Sequence, residues 1–378
     1  MHKKRLAELA ASLKSADIQA AAILPSAALY YLTGMSLSCS ERPLLFVVLD
    51  SGEFFAVCPF FEATRVAREA PYATIFTYSD EQGAGQGFAA LAAKVGPLKN
   101  IAMEYQAARL LEYLLLKEHC GVESLADLRP LLAEQRMLKE PQEINKMQQA
   151  ARLADLAMGF VEENLCPGIS ELSLLAKAED FIKSKGGHLA FISIIGGERT
   201  ALPHATTGAR ILMTGDVVVV DLGCQVEGYY SDITRTFLLG QASEKMLEVG
   251  KIVLAANTLA REAIFPGVSA GFIDQVAREY ITKAGYGEFF THRTGHGLGL
   301  EIHEEPYIVM GNRHLLAAGN TFTVEPGIYL DGIGGVRIED DICVTATGAV
   351  SLTTYPRALK VVTKFAQPPS RGEAPCRP

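Results

Sequence analysis

The segment VVVVDLGCQVEGYYSDITRTF, Val217–Phe237, decides the fold of the second half of the chain. Its four consecutive valines are apolar and β-branched, which predicts a buried strand that ends on a carboxylate, Asp221. Glu227-Gly228 has the composition of a tight turn, and a second carboxylate, Asp232, lies in the Tyr/Ile/Thr-rich segment that follows. The segment therefore predicts a hairpin with one carboxylate on each arm.

The same pattern recurs in TFTVEPGIYLDGIGGVRIEDDICVT, Thr321–Thr345. An apolar strand ends on Glu325, a glycine-rich turn spans Asp331 to Gly335, and the return strand carries Glu339. One aspartate at a strand end would by itself be interpreted as solvent-facing. Two similar hairpins with four carboxylates between them favour a shared site instead.

A histidine-rich segment, THRTGHGLGLEIHE, lies between the two hairpins and holds His292, His296 and His303. Buried carboxylates cost free energy unless something compensates their charge. Hard divalent cations are the usual compensation where carboxylates converge. The pattern therefore indicates a metal site.

Composition narrows the class of protein. The chain has 378 residues, of which 49% are hydrophobic, so it can hold two domains or one large one. A net charge of −8 without a basic run argues against a nucleic-acid partner. Seven scattered cysteines without metal-type spacing fit reduced thiols, and Cys224 is interpreted as a buried filler despite its closeness to Asp221. No run reaches transmembrane length, so we expect a cytoplasmic protein without a membrane partner.

The order of predicted elements divides the chain. Residues 1–130 alternate helices with strands of mixed direction, which predicts an α/β domain with a mixed sheet. A linker is expected at 131–140, and residues 141–365 read helix–helix–hairpin twice, a duplication of architecture rather than of sequence. The tail at 366–378 is Pro-rich and polar and is predicted to be disordered. The four predicted helices of the second domain are Glu143–Leu165, Glu171–Lys185, Ala242–Ile264 and Ala270–Lys283.

Six short motifs in order carry a resemblance to a known family. They are PHA at Pro203–Ala205, DLG at Asp221–Gly223, SDITRT at Ser231–Thr236, TGHGLGLEIHE at Thr294–Glu304, EPGIY at Glu325–Tyr329 and RIED at Arg337–Asp340. Together they resemble the pita-bread metallopeptidases, and within them the two-domain branch of prolidase, aminopeptidase P and creatinase. The resemblance implies a creatinase-like α/β N-terminal domain followed by an α+β pita-bread catalytic domain with two pseudo-repeated helix–helix–hairpin units.

The resemblance also implies five ligands to two divalent metal ions, and the chain has each of them. Asp221 would bind one metal through both oxygens, Asp232 and Glu339 would bridge the metals, and His296 and Glu325 would complete the ligand set of the second metal. An oxygen-rich donor set favours Mn²⁺, with Co²⁺ and Zn²⁺ as alternatives. Two such ions lower the pKa of a bridging water and stabilise a tetrahedral intermediate.

Further roles follow from the same resemblance. His204 and His303 would donate hydrogen bonds to the substrate carbonyl or the developing oxyanion, and Glu325 would also serve as general base. His292 would line the pocket for proline. The alternative for any lone histidine is an ordinary core or surface residue.

Arg337 precedes Glu339 by two residues, so we expect it near the substrate site, where it would pair with a ligand carboxylate such as Asp221. A surface arginine is its alternative. GHGLG is irregular and follows no βα strand, which disfavours nucleotide binding. Its glycines would let the backbone pass close to the metals.

The predicted function is hydrolysis of the Xaa-Pro bond at a substrate N-terminus. A dipeptidase (prolidase) is favoured slightly over an aminopeptidase P that acts on longer peptides. The preference depends on the compact chain and on a polar loop in which Arg42 could reach the substrate carboxylate, although a solvated loop charge is the simpler interpretation of Arg42. A non-catalytic binding module on the same fold and a hydrolase for non-proline substrates are the remaining alternatives, and a homodimer is expected from the family.

Overall fold

The computed structural model describes residues 2–241 and 243–363, so the predicted tail at 366–378 lies outside the described residues. The chain divides into two compact units, Met1–Arg136 and Met137–Pro378. The segment 131–140, predicted as a linker, holds the C-terminal part of a helix. Among the described residues, no helix combines the length and the apolar character that a membrane crossing requires.

The first unit is a mixed six-stranded sheet with helices. Its strands follow the order β4-β3-β2-β1-β5-β6, in which β1 pairs with β2 antiparallel and with β5 parallel. Apolar side chains of the strands and of α4 and α5 form its core. The bounds are α1 His2–Ser15, β1 Ala20–Ile23, α2 Ala27–Thr33, β2 Leu45–Leu49, β3 Phe54–Pro59, α3 Ala63–Glu69, β4 Thr74–Tyr78, α4 Ala84–Val95, β5 Asn100–Met103, α5 Leu110–Cys120, β6 Ser124–Asp127 and α6 Arg129–Met137, of which α6 extends one residue into the second unit.

The second unit contains two helix pairs, each followed by antiparallel strands. One sheet has the order β18-β10-β8-β7, with β9 paired to β8, a second has the order β12-β11-β13-β16-β17, and β14 pairs with β15 alone. The bounds are α7 Pro141–Asn164, α8 Glu171–Ser184, β7 His188–Gly196, β8 Val217–Val226, β9 Tyr229–Tyr230, β10 Ile233–Leu239, α9 Glu244–Glu262, α10 Ala270–Lys283, β11 Gly295–Gly297, β12 Glu304–Ile308, β13 Thr321–Val324, β14 Gly327–Leu330, β15 Gly334–Arg337, β16 Asp340–Thr345, β17 Gly348–Ser351 and β18 Lys360–Val362.

Both faces of β8 are buried, which explains its uninterrupted run of valines. Val218 and Val220 pack in the cluster formed with α7 and α8, whereas Val217 belongs to the cluster formed with α9 and α10. Burial of one such side chain stabilises the fold by about 1.5–3 kcal/mol. The strand therefore joins the two helix pairs and fixes the backbone at Asp221.

The first hairpin has the predicted form. The turn residues Glu227 and Gly228 both have positive φ, at 47° and 83°, as a tight turn between twisted strands requires. On the adjoining β10, Thr234 lies opposite Asp221. The ladder is interrupted just before β10, at Asp232.

The second hairpin is interrupted near its middle. β13 pairs with β16 and β14 pairs with β15, and the ladder stops between them at Glu325-Pro326 and Ile338-Glu339. Proline has no N–H to donate to a ladder, which accounts for the break at Pro326. Both carboxylates of this hairpin stand at the interruption.

The duplication extends to sequence, contrary to the prediction. ILMTGDVVVVDLG at 211–223 aligns with LLAAGNTFTVEPG at 315–327, which places Asp221 opposite Glu325 in the alignment. Asp216 and Asn320 are also equivalent, and each accepts a hydrogen bond of 2.7 Å from the backbone N–H three residues earlier. The two halves therefore share a turn and strand that end on a carboxylate.

Candidate active site

The five predicted ligands lie on or beside the central strands of the second unit. Asp221 lies within β8 and His296 within β11, while Asp232, Glu325 and Glu339 stand just outside β10, β13 and β16. The structure brings these hairpins together, because the backbone N–H of Glu339 donates to Thr234 O over 3.2 Å. The Thr234 hydroxyl in turn donates to Glu339 Oε2 over 2.5 Å.

Three of the five form a tight group. Ligand atoms of Asp232, His296 and Glu339 all lie within 4.8 Å of one another. His296 Nε2 lies 3.3 Å from Glu325 Oε1 and 3.8 Å from Asp232 Oδ2. Asp221 stands outside this tight group, and its Oδ2 accepts a hydrogen bond of 2.6 Å from Arg337 Nη2. The arrangement thus has a compact part and a separate carboxylate.

The group has more negative charge than its surroundings compensate. Burial, together with the neighbouring carboxylates, raises the pKa of Asp232 and of Glu339 well above the usual range. Burial also raises the pKa of Glu325 to about 7. Arg337 pairs with Asp221 and interacts electrostatically with Glu339 and Glu325. Burial opposes the charge of Arg337, but Tyr329 and these carboxylates outweigh it and raise the arginine pKa.

His296 is prepared to act as a neutral ligand. Burial lowers its pKa to about 3, so the ring is uncharged at neutral pH. Its Nδ1 donates to Gly297 O over 3.1 Å, which leaves the lone pair of Nε2 toward the carboxylates. Metal ligation requires this protonation state.

Two buried carboxylate oxygens without hydrogen-bond partners in the described part of the chain indicate that the candidate ligands fit bound cations. Oδ1 of Asp221 and Oδ1 of Asp232 are buried and have no hydrogen-bond partner among the residues that the structure describes. Buried polar atoms are nearly always satisfied by a partner. Four carboxylates and one imidazole form the oxygen-rich donor set that binds divalent cations such as Mn²⁺.

The group opens into a cleft of about 520 Å³. Besides the five candidate ligands, its lining includes the histidines and the arginine that were predicted to meet substrate, namely His204, His292, His303 and Arg337. It also includes Phe191, Pro203, Arg293 and Ile302, to which the motifs assigned no role. The structure therefore places all but one of the predicted site residues around one cavity.

The exception is Arg42, which belongs to the first unit. Its Nε and Nη2 donate to the two carboxylate oxygens of Asp80 over 2.8 and 2.9 Å. Arg293 differs, since its guanidinium stacks on the Tyr307 ring at 4.4 Å and forms no salt bridge within the described part of the chain. A role for Arg42 toward substrate stays a prediction.

His292 is held by a chain of hydrogen bonds that the sequence did not reveal. Arg337 Nη1 donates to Tyr329 Oη over 3.1 Å, and Tyr329 donates to His292 Nε2 over 2.8 Å. His292 Nδ1 then donates to Arg293 O over 2.7 Å, and burial lowers the histidine pKa to about 4. Both ring nitrogens are engaged, so His292 presents an apolar ring edge to the cleft. Tyr329 ends the EPGIY motif, which was the available signal.

His204 and His303 have free ring nitrogens. Neither ring makes a hydrogen bond to the described residues, and both are exposed in the cleft. The His303 ring lies edge-on to His296 with 4.2 Å between ring centroids. Partial burial lowers the pKa of His303. Both side chains can therefore donate to a bound carbonyl oxygen.

The glycines beside His296 serve strand packing. A Cβ on Gly295 would lie 1.8 Å from Thr323 O, and one on Gly297 would lie 2.2 Å from Glu305 O. These atoms belong to the neighbouring strands β13 and β12. Close approach of backbone to backbone, rather than to metals, requires glycine at both positions.

Comparisons with known proteins agree with the site. Residues 145–346 match the model of metallopeptidase family M24, and residues 5–138 match the creatinase/prolidase N-terminal domain. The chain belongs to metallopeptidase family M24. The resemblance drawn from the motifs and the predicted fold class are thereby confirmed, and this M24 protein is a peptidase.

Individual members of the family are similar over nearly their whole length. The Bacillus subtilis (strain 168) protein named "Putative dipeptidase YkvY" is 37% identical over 95% of this chain and 99% of its own. A prolidase structure from Thermococcus sibiricus has a TM-score of 0.90 at 33% identity, covering 96% of this chain and 99% of that one. An Xaa-Pro dipeptidase structure from Bacillus anthracis has a TM-score of 0.88 at 30% identity, covering 96% and 100%.

Proposed function

We propose that this M24 peptidase is a metal-dependent Xaa-Pro dipeptidase. The observation that carries the proposal is the buried group of Asp232, His296 and Glu339, whose ligand atoms lie within 4.8 Å of one another beside unpartnered carboxylate oxygens. Asp221 and Glu325 would complete a site for two divalent ions, with Mn²⁺ favoured over Co²⁺ and Zn²⁺. The names of the prolidase and dipeptidase relatives support the same substrate class.

The metal ions would supply Lewis acidity and lower the pKa of an attacking water. The Glu325 carboxylate would take the proton that this water loses. His204 and His303 have ring nitrogens free to donate to the carbonyl oxygen as it gains negative charge. An Xaa-Pro bond has no N–H on the proline side, so this recognition depends on the carbonyl and on the shape of the ring pocket.

The pocket residues fit a proline ring. His292 and Tyr329 are tied to each other and to Arg337, so their rings are fixed before substrate arrives. Phe191 and Ile302 add apolar surface to the same cleft. A small rigid ring loses little entropy in such a pocket.

Arg293 offers a reason to favour the dipeptidase over an aminopeptidase P. It lines the cleft, and its guanidinium forms no salt bridge among the described residues. A dipeptide carries a free carboxylate close to the scissile bond, and arginine pairs with carboxylates through two parallel hydrogen bonds. Arg42, already paired with Asp80, is the weaker candidate for this contact.

Comparison of Ala-Pro, Ala-Pro-Ala and Ala-Pro-amide as substrates of the Mn²⁺-loaded protein tests this proposal. Ala-Pro is expected to be cleaved with the highest kcat/KM, and Arg293→Gln is expected to raise KM for Ala-Pro but not for the amide. Arg313→Gln, at an exposed position, serves as the control. Equal cleavage of all three substrates would favour the aminopeptidase, and cleavage of Ala-Ala at the rate of Ala-Pro would contradict proline specificity. The expected homodimer is tested separately by light scattering.

A further inference from the structure

Among the buried carboxylates outside the candidate metal group, three are bonded to a segment that carries a histidine of the cleft. They are Glu171 and Asp274, both 0% exposed, and Glu304, 9% exposed. Each accepts hydrogen bonds from a basic side chain. The proposed reaction uses none of them. A buried charge costs free energy unless it is paired, and each of these carboxylates has such a partner.

Glu171 closes the base of the His204 loop. Its Oε1 accepts from Gly196 N over 2.9 Å, and its Oε2 accepts from Gly208 N over 2.8 Å. These two N–H groups flank the loop 197–207. Arg199, from within that loop, donates to both oxygens from Nη1 over 3.0 and 2.7 Å. One carboxylate thus fixes both ends of the loop and a point inside it.

The His204 side chain depends on this loop for its position. The ring is exposed and makes no hydrogen bond to the described residues, so only the backbone around it limits where it lies. Arg199 extends the attachment, because its Nη2 donates to Thr206 O. Glu171 also stands in the first turn of α8, where the helix dipole stabilises a negative charge.

Asp274 holds the His292 segment in a similar way. From α10, its Oδ1 accepts from Thr294 N and Oγ1 over 3.0 and 2.8 Å. Its partner Arg278 contacts both oxygens over 3.0 Å and donates to His292 O over 2.8 Å. Thr294 O in turn accepts from Glu325 N over 2.7 Å. The pair therefore positions the backbone at His292.

Glu304 directly follows His303. Its Oε1 accepts from Lys139 Nζ over 2.6 Å, in a pair whose side chains are 7% and 2% exposed. Lys139 is fixed in turn, since its backbone N–H donates to Gly319 O over 2.9 Å. The pair anchors the strand end from which the exposed His303 ring projects.

We infer that Glu171, Asp274 and Glu304 are positioning residues for His204, His292 and His303 respectively. In each pair a buried carboxylate holds the backbone of the segment that carries one histidine, and Asp274 also reaches the backbone of Glu325 through Thr294. The inference depends on the proposed function for the roles of the histidines, but the placement of the segments stands without it.

The first variant to make is Glu171→Gln, which retains the side-chain shape and removes the charge. We expect kcat for Ala-Pro to fall between about tenfold and a hundredfold, because a small displacement of a catalytic group has effects of this size. Bound Mn²⁺ and KM are expected to change less than kcat, since the His204 loop supplies no candidate ligand and reaches Arg337 through a long contact, Arg337 Nη1 to Pro203 O over 3.4 Å. Loss of metal would mean a general structural role and would overturn the inference.

Double-mutant cycles separate positioning from stability. Glu171→Gln is combined with His204→Ala, Asp274→Asn with His292→Ala, and Glu304→Gln with His303→Ala. In each matched pair, the carboxylate substitution should lower activity little when it is made in the histidine variant. The histidine that the carboxylate positions is already absent there. Mismatched pairs, such as Glu171→Gln with His292→Ala, are the controls and should be close to additive. Additive effects in the matched pairs would contradict the inference.

Hydrogen–deuterium exchange supplies a readout that needs no activity. Glu171→Gln should speed exchange in peptides from 197–207 and leave 290–294 unchanged, and Asp274→Asn should do the reverse. If the wild type cleaves no Xaa-Pro substrate, the proposed function fails while this measurement still tests the placement. Unchanged exchange in both segments would refute the placement. If Glu171→Gln does not fold, Arg199→Met removes one donor, at a side chain 34% exposed, and takes its place in the exchange experiment and in the cycle.

Discussion

Arg337 Nη2 donates to Oδ2 of Asp221 over 2.6 Å, and this contact leaves Oδ1 of the same carboxylate buried without a partner in the described part of the chain. Arg337 also donates to Thr234 Oγ1 and to Tyr329 Oη, both over 3.1 Å. The arginine therefore fixes the orientation of Asp221 and links it to the pocket that holds His292.

Replacement of Arg337 by lysine is expected to weaken metal binding by about tenfold to a hundredfold. A lysine cannot hold Asp221, Thr234 and Tyr329 at once, because it lacks the planar fork of donors. Titration of the metal-free variant with Mn²⁺, read by calorimetry, measures the change in Kd. Arg313→Lys, at an exposed position, is the matched control. A Kd equal to that of the wild type would show that Asp221 needs no such support.

Asp232→Asn and Glu339→Gln are each expected to lose both metal ions and at least about 99% of activity, because the proposed role of each carboxylate is to bridge the ions. Each substitution preserves volume, so a loss of metal reflects ligand charge rather than packing. Metal content after dialysis, measured by mass spectrometry, decides the outcome. The exposed Glu288→Gln should retain full content. Activity in either buried variant would exclude a bridging role for that residue.

The stability of the metal-free protein should fall as the pH rises toward neutrality. Burial raises the pKa of Glu325 from its usual 4.5 to about 7, so the folded state binds the proton more tightly than the unfolded chain does. This contribution is fully present below about pH 4.5 and is lost as the pH rises through about 7, with a magnitude on the order of 3 kcal/mol. Asp232 and Glu339 act in the same direction, since their pKa values are also raised. The lowered pKa values of His292 and His296 act in the opposite direction up to about pH 6.5, so the net fall is expected above that pH.

Calorimetric melting of the metal-free protein between about pH 6.5 and about pH 8 measures this dependence, because the buried histidines are neutral in both states over this range. Glu325→Gln removes one titrating group and should flatten the curve. Saturation with Mn²⁺ should remove most of the decline, with protons released on binding, because the ligands must be deprotonated. A Tm that rises across this range in the metal-free protein would contradict the assigned pKa directions.

Tyr329→Phe should raise KM for Ala-Pro more than it lowers kcat. The variant leaves His292 Nε2 and one Arg337 N–H without their shared partner, at a cost of about 1–3 kcal/mol in stability. His292 then has freedom to turn in the proline pocket, whereas the metal ligands keep their contacts. Steady-state kinetics and thermal melting report the two effects. The exposed Tyr280→Phe is the control, and a fall in kcat alone would place Tyr329 in the chemical step instead.

The strands around the site follow directly from local sequence. The valine run that ends on Asp221 is apolar on both faces, as a strand buried on both faces requires. The Glu227-Gly228 pair has the composition of a tight turn, and the structure has the turn there. The break in the second hairpin also follows from the sequence, because Pro326 has no N–H to donate to a strand ladder.

Partners between distant side chains could not be predicted to the same extent. The pairing of Arg337 with Asp221 was expected from the motifs, but the link through Tyr329 to His292 depends on the docking of three strands. Glu171 and Asp274 carry no motif signal, since an acidic residue in a helix is usually solvated. Their burial becomes apparent only when the loops that they hold are placed.

The most direct test of the two-metal Xaa-Pro dipeptidase is alanine release from Ala-Pro as Mn²⁺ is added stepwise to the metal-free protein. The account predicts no release without metal and a maximum at two equivalents per chain, which a chelator reverses. Full activity of the metal-free protein, or no cleavage of Ala-Pro at any Mn²⁺ level, would contradict it.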